Sequence, residues 1–135
     1  MDELDRKILE ILEENARTPF LKMGKMLGVS EATIRHRVKR LIKEGVIKKF
    51  TIIKGEKKML TAFVLVQVAP SHPVYKMAAR IRKMKNVKEV YEISGETDII
   101  CKLQAHSTSE INEVIDKIRG LEGVERTTTY FVLKT

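Results

Sequence analysis

The stretch GVSEATIRHRVKRLIKEGVI, Gly28 to Ile47, places five positive charges and a histidine between Ser30 and Glu44, threaded through Ile34, Val38, Leu41 and Ile42. At about 100° per residue those four apolar side chains share one stripe of a helix. His36, Lys39, Arg40 and Lys43 fall opposite, with Ala32 and Thr33 on the same outer side, while Arg35 and Arg37 flank the boundary. Ser30 is placed to cap this helix and Gly45 to end it. Such a helix needs a small core to pack on, and the preceding residues supply one. Leu4, Ile8, Ile11 and Leu12 keep helical spacing behind a capping Asp2. A polar break follows, after which Thr18 suits a cap and Pro19 a first helical position, opening a short helix that carries Phe20, Met23, Met26 and Leu27. Three helices with a tight LGVS turn before the last predict a helix-turn-helix. In that arrangement the third helix enters the major groove of double-stranded DNA. Ser30, Ala32, Thr33, Arg35 and His36 then sit near base edges, and Arg37, Lys39 and Arg40 nearer phosphates. A solvated basic helix is the competing reading. Against it stands the lack of acidic residues between Glu31 and Glu44.

Downstream, VIKKFTIIK (Val46–Lys54) reads as a strand and GEKK as a turn or linker. These signals divide the chain into a DNA-binding domain at 1–54, a linker at 55–59 and a second domain at 60–135. The second domain opens with LTAFVLVQVA, a strand apolar on both faces. Val74, Met77, Ala78, Ile81 and Met84 mark an amphipathic helix. The strands VKEVYEI and DIICKLQA are joined by SGET. Ile111, Val114, Ile115, Ile118 and Leu121 mark another helix, and ERTTTYFVLK is a last strand. Val74, Met77, Ile81, Arg82, Met84 and Val87 are answered 37 residues later by Ile111, Val114, Ile118, Arg119, Leu121 and Val124, without a gap. Two copies of strand–helix–strand predict a ferredoxin-like βαββαβ domain, so the whole is an α+β protein. Right-handed crossovers put both helices on one sheet face. The first strand carries Ala62, Val64, Val66 and Val68 on one face and Phe63 and Leu65 on the other, and one of these faces is then uncovered, which predicts a homodimer joined sheet to sheet.

The charge is unevenly placed: 15 Lys/Arg stand against 9 Asp/Glu from Met1 to Leu60, and 11 against 9 from Thr61 to Thr135. A basic N-terminal part suits a polyanionic partner. The lone Cys101 excludes an intramolecular disulfide and fits a reducing compartment, so a cytoplasmic protein is expected. No apolar run approaches the roughly 20 residues that span a bilayer, and no membrane association is implied. His36, His72 and His106 lack metal-ligand spacing, and no catalytic carboxylate pair or nucleophile motif stands out. Neither an enzyme nor a cofactor is implied by these residues.

LDRKILEILEENARTPFLKMGKMLGVSEATIRHRVKRLIKEGVIKKFTII resembles the DNA-binding domain of the Lrp/AsnC family of transcriptional regulators. TAFVLVQV, VYEISGETDIICKL and TTTYFVLKT resemble that family's effector-binding domain. The resemblance implies a winged-helix-type N-terminal domain, a sequence-specific DNA-binding regulator, a dimer that often assembles further into tetramers or octamers, and a small effector, commonly an amino acid. The family's ligand loop matches Gly95 and Asp98 within SGETD, which gives Gly95, Glu96, Thr97 and Asp98 as effector-binding residues, with Asp98 meeting an ammonium group. Without the resemblance, Asp98 reads more simply as a turn cap. The linker KGEKKML is short for the family. Two other readings are a genome-architectural protein with little sequence preference and a tetrapyrrole decarboxylase-type enzyme on the same fold. An RNA-binding sheet is disfavoured because TAFVLVQV lacks the basic-aromatic signature.

Overall fold

Asp2 begins the fold as the sequence predicts. In a computed structural model, which describes residues 1–55 and 59–135, its carboxylate accepts from the Asp5 amide while the Asp5 side chain accepts from the Asp2 amide, a reciprocal cap on helix α1 (Glu3–Glu14). Helix α2 (Phe20–Leu27) follows, then α3 (Glu31–Lys43). Ile8, Leu12, Met23, Ile34, Val38 and Leu41 form their common core. Two details of the sequence reading change. Pro19 is the cap residue of α2 rather than its first turn, and the Thr18 hydroxyl donates to the Asn15 carbonyl instead of capping. Ile42, at the edge of the apolar stripe, stays exposed because α1 and α2 cover only its centre.

The strand expected over Val46–Lys54 does not form. Its β-branched and aromatic residues fit a strand, but an extended segment becomes one only beside a hydrogen-bonding neighbour, and no other strand lies among the described residues of this unit. Phe50, Ile52 and Ile53 are left exposed. Of the linker expected at 55–59, residues 56–58 lie outside the described residues.

The chain divides into two units, Met1–Lys54 and Gly55–Thr135. The second unit carries β1 (Leu60–Val68), α4 (Val74–Arg82), β2 (Val87–Glu92), β3 (Ile99–Ala105), α5 (Thr108–Arg119) and β4 (Val124–Phe131). The sheet order is β2-β3-β1-β4, antiparallel throughout, which is the ferredoxin-like arrangement. The repeat equates Val64 with Cys101, and these two residues are also direct cross-strand partners. The pseudo-twofold axis of the repeat therefore passes between them. Ala62, Val64, Val66, Ile99, Cys101 and Leu103 bury one sheet face against Met77, Ala78, Ile81, Ile111, Val114 and Ile118 of the two helices. On the other face Phe63, Leu65 and Ile100 are only half-buried, and Tyr91 and Tyr130 are exposed. The last strand ends at Phe131, short of the expected Lys134; Val132 still donates to the Thr61 carbonyl, but Leu133 is exposed.

Candidate nucleic-acid interface and ligand pocket

The turn between α2 and α3 sets how the third helix is presented. Gly28 adopts a left-handed φ of 71° and donates to the Gly24 carbonyl, and Val29 donates to the same oxygen at 2.9 Å. Gly24 is buried, and a Cβ there would stand 2.6 Å from the Val29 carbonyl oxygen. The turn into α3 folds back so closely on α2 that only glycine fits there. The Ser30 hydroxyl then accepts from the Thr33 amide at 3.1 Å, and the two hydroxyls lie 2.8 Å apart. Ser30 and Thr33, both predicted near bases, serve first as the helix cap.

The cations of α3 separate into two groups that the sequence alone does not distinguish. Arg37 and Arg40, predicted near phosphates, turn toward α1. Arg37 pairs with Asp2 and, at 3.2 Å, with Asp5; Arg40 reaches the other Asp5 oxygen at 2.5 Å. The Asp5 side chain is fully buried, whereas the Arg37 and Arg40 side chains keep 24% and 38% exposure. A buried carboxylate demands a partner, so both guanidiniums are committed within the fold. The Arg37 pair holds the Asp2 carboxyl down at about 2, helped by the Asp5 amide, and Asp2 and then Asp5 hold the Arg37 guanidinium above its ordinary value. Asp2, which caps α1, and Asp5, in its first turn, thus supply acidic partners for α3 from more than thirty residues away.

The other group faces solvent. Ala32, Arg35, His36, Lys39 and Lys43 are exposed, and His36, Lys39, Arg40 and Lys43 line a shallow hollow of about 290 Å³. Lys39 and Lys43 make no ion pair among the described residues. The helical wheel places Lys43 on the outer face without marking it as a contact. Arg35 pairs with Glu31 at 2.6 Å and lies 5.8 Å from the Phe20 ring centre. That i,i+4 pair is on the surface, so it restrains Arg35 weakly.

In the second unit the SGETD loop is divided in a similar way. Gly95 has φ +115°, the left-handed region that glycine favours. Asp98, predicted to meet an ammonium group, instead closes the end of the sheet. Its carboxylate accepts from the Val68 amide at 2.7 Å, its amide donates to the Val66 carbonyl at 3.0 Å, and its carbonyl accepts from Ile93 at 2.9 Å. A bulge between Gln67 and Val68 lies next to this point, and the Asp98 side chain supplies the acceptor Val68 requires. Glu96 and Thr97 line a pocket of about 300 Å³ with Leu65, Gln67, Arg126, Thr128 and Tyr130. The sequence reads Thr127 to Thr129 as ordinary edge-strand residues that could also face a polar ligand, which covers Thr128, but it does not single out Leu65, Gln67, Arg126 or Tyr130. The signal was available in the β1–β4 register, where Leu65 faces Thr128 and Gln67 faces Arg126. Among the described residues no group of three or more His, Cys, Asp or Glu is arranged to hold a metal ion, and no helix is long and apolar enough to cross a membrane.

Comparison with known proteins agrees with both units. Residues 1–42 match the AsnC-type helix-turn-helix domain and residues 61–135 the Lrp/AsnC ligand binding domain. The HTH-type transcriptional regulator LysM of Saccharolobus solfataricus is 42% identical over all of this chain and 95% of its own length. The HTH-type transcriptional regulator FL11 of Pyrococcus furiosus is 36% identical, over 99% of this chain and 90% of its own. Among solved structures, E. coli AsnC superposes with a TM-score of 0.89 at 29% identity, covering 100% of this chain and 93% of that one. A Neisseria meningitidis transcriptional regulator solved as a complex with L-Met gives 0.90 at 25% identity, covering 99% and 90%.

Proposed function

This chain belongs to the Lrp/AsnC family and is a DNA-binding transcriptional regulator, and we propose that it reads its operator through the outer face of α3 while a second site binds an amino acid. Ala32, Thr33, Arg35 and His36 face the bases. Lys39 and Lys43 contact phosphates, and Arg37 and Arg40 hold α3 in place. The observation that carries this assignment is the Asp5 carboxylate, which ties up those two arginines and leaves the lysines free. It works as a homodimer in the cytoplasm. The half-covered sheet face with Phe63, Leu65, Ile100 and Tyr130 offers the dimer contact, and further assembly to tetramers or octamers follows the family. Selection of bound duplexes from a random pool is the test: the expected product is a pseudo-palindrome, and a pool left unenriched would favour an architectural role instead.

The pocket beside the SGETD loop is the effector site. Its volume of about 300 Å³ suits a small ligand. An amino acid carries an ammonium and a carboxylate, and Glu96 and Arg126 offer one group of each opposite sign, with Leu65 and Tyr130 for the side chain. Glu96 thus takes the role expected of Asp98. Thermal-shift screening against the twenty amino acids tests this: Glu96→Ala and Arg126→Ala should abolish the stabilisation that the wild-type chain shows, and equal stabilisation of variants and wild type would remove them from the site.

A further inference from the structure

The 37-residue repeat keeps its core and inverts its surface. Lys76, Lys85 and Lys88 of the first copy are answered by Glu113, Glu122 and Glu125 of the second. Residues 70–88 hold six cations and no carboxylate, while the equivalent residues 107–125 hold five carboxylates and two cations. The small net charge of this half conceals two opposite faces. Both copies build the same strand–helix–strand unit, so α5 acts as an internal control showing that the fold does not require a basic α4.

All six cations, Lys76, Arg80, Arg82, Lys83, Lys85 and Lys88, are exposed, and none has an ion-pair partner among the described residues. Arg82 donates to the Val90 carbonyl at 3.3 Å. Lys76, Arg80 and Lys83 recur at i, i+4 and i+7 on the side of α4 away from Met77 and Ile81, with the small Ala79 beside them. That stripe is about 10 Å long, close to three base-pair steps of a duplex at about 3.4 Å each. Unpaired like charges this close repel each other, and a polyanion that displaces their counterions relieves the repulsion.

We propose that the outer face of α4, extended by Lys85 and Lys88, is a second DNA contact that grips the phosphate backbone without reading sequence. It rests on the chain being a DNA-binding regulator and adds to the contact made by α3. The rival occupant is the acidic α5 of another copy. Six positive charges against a net of three negative would leave half of the cations unneutralised, whereas a duplex supplies phosphates along the whole stripe. The contact needs only cations and short side chains, which is what the stripe contains.

The test compares the full chain with Lys76→Gln/Arg80→Gln/Lys83→Gln, and with Glu113→Gln/Asp116→Gln/Glu122→Gln as a matched control. Glutamine has about the helix propensity of Lys, Arg and Glu and a higher one than Asp, so neither variant weakens its helix. Binding to duplex DNA is followed against salt concentration, and each protein is also sedimented. The α4 variant should lose about 0.9 in the log–log salt slope per contact removed, a total of about 2 to 3, with the ratio of specific to nonspecific affinity and the sedimented mass unchanged. The control should keep the wild-type slope or exceed it. An unchanged slope in the α4 variant would overturn the proposal. A fall in its sedimented mass would overturn it too, because it would identify the α5 face of a second copy as the occupant.

Discussion

The Arg40 guanidinium donates to the buried Asp5 carboxylate at 2.5 Å, joining the third helix to the first. The same carboxylate also holds Arg37. This contact ties two of the cations of α3 to the fold, which is why we assign phosphate contact to Lys39 and Lys43 in their place.

Asp5→Ala should destabilise the N-terminal unit by on the order of 3 kcal/mol, because it strips two guanidiniums of a buried partner. Chemical denaturation followed by helical circular dichroism measures it. A loss below about 0.5 kcal/mol, the level of ordinary surface substitutions, would show the network to be incidental.

Asp2 gives this network a pH dependence of definite sign. Its carboxyl ionises at about 2 in the fold against 3.8 unfolded, mainly because Arg37 hydrogen-bonds it. A depressed acid adds stability above its unfolded pKa and loses it as the pH falls through the folded one. Asp2→Asn should therefore lower Tm at pH 5 and above, with the gap closing between about pH 4 and pH 2. A gap independent of pH would mean that only the cap, not the charge, matters.

Gly24→Ala should cost about 1–3 kcal/mol and weaken DNA binding, since its Cβ meets the Val29 backbone at 2.6 Å and α3 must shift. Thermal unfolding with a DNA titration checks both effects. Neither Gly24 nor Asp5 stands out in the sequence. Helical periodicity reports which side of a helix is buried, but not how closely two helices approach or which distant residue supplies a counter-charge. The capping Asp2, the glycine after α3, the 37-residue repeat and the strand order were legible because they depend on local chemistry or on a pattern within the chain. The strand over Val46–Lys54 was misread because strand formation depends on a neighbour that a run of β-forming residues does not reveal.

Asp98 illustrates the same limit at the second site. The loop that carries it was legible, and so was the glycine that shapes it. The direction of its side chain was set by the unpaired Val68 amide, a consequence of the bulge in β1. Asp98→Ala should lower the stability of the C-terminal unit by about 1.5–3 kcal/mol, the value of a hydrogen bond to a charged group. It should also leave amino-acid binding at the pocket intact in the protein that remains folded. Calorimetric unfolding with and without ligand separates the two effects.

Cys101 should resist alkylation until the C-terminal unit unfolds. It is buried at the centre of the sheet beside Val64, and burial pushes its thiol up to about 11, leaving little thiolate at neutral pH. Labelling in native buffer as fast as in denaturant would contradict the placement of that strand.

The central claim is that the outer lysines of α3 hold the DNA while its inner arginines hold α3. The salt dependence of operator binding measures it most directly, with Lys39→Ala/Lys43→Ala compared against Arg37→Ala under conditions where each protein is folded. The lysine variant should lose about 1.8 from the log–log slope, at about 0.9 per phosphate, and Arg37→Ala should keep the wild-type slope while losing stability. A slope that falls in Arg37→Ala and holds in the lysine variant would contradict the account.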